Sequence, residues 1–395
     1  MTEERRKDSV SKRAKGRAQN GKTFRRRLVG AAPFIVGGIL LTLLYSNTAL
    51  FRQLEKSALD LQMLLRSPPE SSDIVVVRVT DDDYRSPNLF RGKSPLDPAK
   101  LQELVGAIAS AGPRVIGVDL DTSANGFQTL KPPPEWPPVI WARGASYSNV
   151  SGKFVLSDAL GGSNLYLCCG LVTMKVDADG VIRRYTRWYD TDAGPMPSLA
   201  WAVLEAFRRG DLRTAKPSNL NEDFLINYVG APKYSPVLEV KASHVMEMAR
   251  RRDWAGDNLL RDKMVLLGGD YAVQDEHETP TGWMLGVEII ASVIETEQRG
   301  GGRQPIGRPT ILLLAVIDSI VLLLVIHVWG LGKSLLISVV LIPALALACS
   351  LLVFGSTAYV GYFILILSVV LLNQVYEKGK EYYKSVKERA AQELE

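Results

Sequence analysis

The chain has 395 residues, 47 of them Lys or Arg and 42 Asp or Glu, for a formal net charge of +5. That excess is local: residues 1–28 hold eleven basic and three acidic side chains, whereas residues 52–309 hold 30 and 33. The segregation excludes a uniformly basic nucleic-acid binder, and the near absence of charge over residues 311–372 argues against an ordinary soluble domain.

Residues 1–27 read as a basic cytoplasmic arm without apolar periodicity, whose role is to set orientation rather than to bind nucleic acid. Residues 28–45 (LVGAAPFIVGGILLTLLY) carry no charge and follow Arg25, Arg26 and Arg27. Such a run is long enough to cross about 30 Å of hydrocarbon, so residues 28–51 are expected to form a first transmembrane helix. A cleaved signal peptide is the rival reading, because Ser46, Asn47, Thr48 and Ala49 are small or polar.

Residues 52–305 then alternate strand-like and helix-like patterns. Residues 73–79 (DIVVVRV) are β-branched; residues 98–110 space Leu101, Leu104, Val105 and Ile108 as a helix does; residues 114–120 (RVIGVDL) return to strand character. Further strands are expected at 139–142, 165–172, 184–189, 224–228 and 264–268, with helices at 198–208, 242–248 and 286–298. Strand, helix, strand order implies a parallel sheet covered by helices, with Gly286 at the contact between the last helix and the sheet.

The motif series across this region carries a resemblance: LEKSALDLQMLLR, DIVVVRVTDDDY, SPLDPAKLQELVGAIASAGPRVIGVDL, DADGVIRR with MPSLA, FLINYVG, and DKMVLLGGDY followed by DEHETPTGWMLGVEIIASVI. It resembles the type-two CHASE domain, an extracytoplasmic sensory domain of bacterial receptors. In that family one span precedes the sensor, about three follow it, and an effector such as a kinase or cyclase comes next. Here only 22 residues follow Asn373, so the resemblance implies a sensor that works through a separately encoded effector.

Past the domain, residues 310–329, 334–354 and 356–373 are apolar and read as three more transmembrane helices. With Lys333 and the lysine-rich tail on one side, the positive-inside bias places both termini in the cytoplasm and residues 52–309 outside it, in a multi-pass protein of the bacterial inner membrane. The fold class so read is an α/β extracytoplasmic sensor domain plus an α-helical membrane bundle of four spans. Cys168, Cys169 and Cys349 suggest buried thiols and no disulfide. Residues 374–395 form a cytoplasmic amphipathic helix on which Tyr376, Tyr383, Val386 and Ala390 share a partner-facing side.

Candidate ligand-binding groups are Asp81 and Asp82 after the first strand, Asp119 and Asp121 after the next, and Asp275 with His277. The carboxyl ends of parallel strands are where α/β proteins collect such side chains. Oxygen ligands of this kind suit a hard cation, while caps and turns account for the same aspartates without one. Arg183 and Arg184 could read a carboxylate or phosphate, or could pair with the acidic turn before them. Asp318, inside the second apolar run, is costly in hydrocarbon and should face another helix. No cofactor and no nucleic-acid partner are expected; a homo- or hetero-oligomer is. The alternatives are an outward-facing metal-dependent hydrolase using Asp81, Asp82, Asp119, Asp121 or His277, and a structural subunit of a membrane complex.

Overall fold

In the computed structural model, which describes residues 56, 57, 60, 63, 73–162, 169–210, 219–228, 237–252, 254, 258–271, 275–302, 304–305, 358–359 and 379–386, the run IVVVRVT forms β1 (Ile74–Thr80). Its β-branched side chains fit a pleated surface covered on both sides. Thr80 then caps the short helix α1 (Asp81–Arg85). Asp97 accepts from the Ala99 amide and, with Pro98 in the first turn, starts α2 (Pro98–Ser110).

There follow β2 (Val115–Asp119), β3 (Val139–Arg143), β4 (Ala145–Ser148), β5 (Lys153–Leu156), β6 (Cys169–Leu171), β7 (Lys175–Val176), β8 (Ile182–Thr186), β9 (Trp188–Thr191) and β10 (Gly194–Pro197). Helix α3 (Leu199–Arg209), β11 (Asp223–Leu225), β12 (Leu238–Lys241), α4 (Ala242–Arg251), β13 (Met264–Asp270), β14 (Glu276–Thr279), β15 (Gly282–Leu285) and α5 (Gly286–Gln298) complete the domain. The chain divides into two compact units, Asp60–Gln304 and a second made of Met1–Leu59 with Pro305–Glu395.

Six strands form a wholly parallel sheet in the order β12, β1, β13, β2, β3, β6. On one face Val75, Val77, Val79, Ile116, Val118, Val265 and Leu267 meet Leu101, Leu104 and Ile108 of α2 and Ala242, Val245 and Met246 of α4. The other face is indented by two glycines. A Cβ on Gly117 would lie 2.7 Å from Val203 of α3, and one on Gly268 would lie 2.5 Å from Val287 of α5. Both helices therefore approach the sheet more closely than any larger residue would permit. Gly268, not Gly286, is the contact between last helix and sheet; Gly286 instead abuts the Asp275 carboxylate.

Shorter strands make up the rest: a mixed sheet orders β10, β9, β5, β4, with β5 and β9 parallel, an antiparallel one β11, β8, β7, and β14 pairs antiparallel with β15. The run 184–189, expected as one strand, is split between β8 and β9. Cys169 is buried; Cys168 and Cys349 lie outside the described residues.

The expected four-span helical bundle is corrected. Among the described residues no helix is long and apolar enough to cross a membrane. α2 and α5 have 13 residues each, about 20 Å of helix, against the 30 Å or so of a bilayer core. They bury one side on the sheet and carry Lys100, Glu103 and Glu288 elsewhere, so the architecture is one of mixed α/β sheets. Apart from Ala358–Tyr359, which form a two-residue strand and no helix, the four apolar runs, and Asp318 within one of them, lie outside the described residues.

Candidate functional site

The chain leaves β1 for α2 on one face of the sheet and leaves β13 for α5 on the other, so the carboxyl ends of these neighbours form a topological switch point, the place where open α/β sheets bind ligands. Register places Thr80 of β1 beside Asp270 of β13, and Gly268 of β13 beside Asp119 of β2. Alternation along β2 turns Val118 to the α2 and α4 face and Asp119 to the α5 face. There Asp119 is under the influence of Asp275 and His277, which stand at the start of β14.

These groups are tied together. His277 Nε2 is 2.9 Å from Asp275 Oδ1. The Asp275 carbonyl accepts from the Gly286 amide at 2.9 Å, which fixes it at the amino end of α5, where the helix dipole favours its negative charge. Tyr271, just past β13, stacks on Tyr84 of α1 with centroids 4.5 Å apart. On the opposite face of β1 from these rings, Arg78 reaches Glu239 at 3.4 Å and Asp270 at 3.8 Å. Glu288 accepts from the Leu285 amide at 2.8 Å and faces Glu239.

Five carboxyl groups against Arg78 and His277 make this edge acidic and shift its protonation. Loss of hydration first, and the Asp275 charge second, push the Asp119 carboxyl up to about 7, while His277 opposes the rise. Burial pushes Glu288 up to about 7 as well, against the Leu285 amide, which favours its charged form. The bond to Asp275 raises the His277 imidazole above its usual range despite partial burial. Two acids at one edge thus change charge near neutrality, beside a histidine that holds its proton more tightly than usual, and gaining or losing a proton there alters which of them attract.

The other sequence candidates do different work. Asp83 accepts from the Thr80 amide and Thr80 Oγ1 from the Asp83 amide, so the aspartate run closes a capping box; Asp81 pairs with Arg85 at 2.8 Å and Asp82 is exposed. Asp121 accepts from the Ser123 amide in a local turn. Arg183 is buried among Asp60, Asp177 and Asp179, and Arg184 lies 3.9 Å from Asp177. Tyr383 and Val386 are exposed on a helical stretch, residues 379–386; Tyr376 and Ala390 lie outside the described residues. Among the described residues no three His, Cys, Asp or Glu are grouped to hold a metal ion.

Sequence reasoning missed Arg78, Glu239, Asp270, Tyr271, Tyr84 and Glu288. One signal was present: a single arginine interrupting the β-branched run of β1, which a strand buried on both faces accepts only with acidic partners.

A model of the CHASE2 domain family matches residues 35–335. No curated protein and no solved structure matches the chain.

Proposed function

The chain belongs to the CHASE2 family of extracellular sensory domains, and from that premise we infer that it detects a signal outside the cytoplasm and hands it to a separate effector protein. The family match over residues 35–335 carries this reading. The acidic edge of the parallel sheet is the reception site that fits it best. It lies where α/β folds present ligand-binding groups, and its charge state changes near neutrality. The exposed Tyr383 and Val386 suit an output contact, since apolar side chains held out on a short helix are what a partner protein covers.

Location and output are tested separately. With the native cysteines replaced, Lys153→Cys in intact cells should react with an impermeant maleimide; reaction only after lysis would overturn the extracytoplasmic placement. Tyr383→Asp combined with Val386→Asp should remove a cytoplasmic protein from a pull-down of the full chain. If every partner of the unaltered chain is still captured, the output contact lies elsewhere.

A further inference from the structure

Two guanidinium forks lie four residues apart, one in and one just after β8, the middle strand of the small antiparallel sheet. Arg183, in β8, gives Nε and Nη2 to the two Asp60 oxygens at 2.8 Å each. Arg187, between β8 and β9, gives Nε and Nη2 to Glu297 at 2.5 and 2.9 Å. Asp60 belongs to the segment by which the chain enters the domain, and Glu297 to the last turn of α5, by which it leaves. β8, through Arg183 and through Arg187 just past its end, is therefore bonded to both ends of the domain by paired, charge-assisted hydrogen bonds, and Tyr185 within it adds its hydroxyl to Glu297.

The two clamps are not equivalent. Arg183 also holds Asp177 at 3.1 Å and Asp179 at 3.0 Å, so three carboxylates gather on its guanidinium, with Arg184 3.9 Å from Asp177. Withdrawing Asp60 leaves Arg183 neutralised and relieves repulsion among the acids. The Asp60 side chain is 25% exposed and regains water readily. Next to Arg183, the buried Tyr228 hydroxyl has no hydrogen-bond partner among the described residues.

Glu297 has no such reserve. Its side chain is 4% exposed and its partners are Arg187 and the Tyr185 hydroxyl, while Arg208 bonds its carbonyl at 3.3 Å. Arg187 is held from behind by the Phe224 and Trp201 rings, 4.1 and 5.0 Å away. Taking Arg187 away strands the Glu297 charge where water is excluded, and taking Glu297 away leaves a half-buried guanidinium without its carboxylate.

We propose that β8 is a rigid bar joining the two ends of the chain, with Asp60 a latch that opens and Glu297 an anchor that stays closed. Opening the latch frees the incoming segment while β8 and α5 keep their places, so the incoming and outgoing segments shift relative to each other. Met63, fully buried three residues beyond Asp60, limits the movement by remaining seated. The proposal stands on the domain's own contacts and does not depend on where the signal binds.

Hydrogen exchange on the full-length chain separates the two clamps. In Asp60→Asn, exchange of the peptide containing Asp60 should rise by roughly tenfold or more, that of β8 by less than about threefold, and the melting temperature should fall by less than about 3 °C. In Glu297→Gln, both β8 and the end of α5 should exchange roughly tenfold faster or more, and melting should fall by more than about 5 °C. If that variant does not accumulate, Arg187→Lys, which keeps the charge and loses the fork, should show the same pattern in weaker form. β8 loosening as much as the Asp60 peptide in the first variant, an unchanged Asp60 peptide, or an unchanged β8 in the second would each overturn the proposal.

Discussion

In the parallel sheet, β1, β2 and β13 withdraw Val, Ile, Leu and Met from water on both faces, whereas around β8 the buried side chains include Arg183, Tyr185, Thr186 and Glu297. Apolar burial has no direction: its free energy follows area, and neighbours repack when one side chain shrinks. A guanidinium on a carboxylate is directional, nearly neutral when complete, and costly when half removed. The sheet thus supplies a frame whose stability is distributed over many contacts. The β8 region concentrates its stability in a few bonds that can be made or broken as units.

The largest effect that would test this contrast is in the frame. Leu266, in β13 and inaccessible to solvent, should cost about 3–4 kcal/mol when changed to Ala, read from the denaturant midpoint of the domain's unfolding. A loss below about 1 kcal/mol would mean that the sheet is not the stable half.

The next effect separates burial from pairing. Arg187→Met alone should cost about 2–3 kcal/mol, reduced from a fully enclosed pair because Arg187 is partly exposed. The double change Arg187→Met with Glu297→Leu should recover most of that loss, since an apolar pair leaves no stranded charge. If the double variant is worse than the single, the clamp acts by attraction and not by matched burial.

The smallest effect belongs to the acidic edge. Asp119 binds its proton more tightly folded than unfolded, so between about pH 4 and 7 the unfolded chain ionises first and stability falls as pH rises. The raised His277 acts in the same direction, because its contribution is complete below its unfolded value and is lost as pH passes through its folded one. Asp119→Asn should therefore raise stability at pH 8 by about 1–2 kcal/mol, less than the full shift implies because solvent reaches this edge, and leave it unchanged near pH 4. Parallel melting curves for the two proteins at all pH values would remove Asp119 from the account.

The same contrast explains what could be read from the chain. Strands of the frame declare themselves as β-branched runs, and α2 and α5 span the residues their apolar spacing predicts, since the force that places them is local hydrophobicity acting with a fixed period. β4, β5, β7, β10, β12, β14 and β15 have two to four residues each, too few to show a period. The break between β8 and β9 falls at Arg187, whose direction is set by Glu297, 110 residues away. Asp119, Asp275 and His277 stood out as acids and a histidine at the ends of strands. Glu239 and Glu288 did not, because a glutamate on a strand edge or in the first turn of a helix is ordinary until the fold brings the two together. The family resemblance, carried by motifs in order and not by any one of them, holds across residues 35–335.

The position of β13 also governs how the domain forms. It lies between β1 and β2, although it is made long after both: Ile74 pairs with Met264, and Met264 with Val115. β1 and β2 never bond to each other, so the centre of the sheet cannot close until Met264–Asp270 has emerged. Until then each of them presents an unpaired, β-branched flank to whatever is nearby. Pairings this distant in sequence are slow to form, because the loop entropy is lost before any contact repays it. On the ribosome the domain spends most of its synthesis without its middle strand, and that interval is when holdase chaperones have the most to bind.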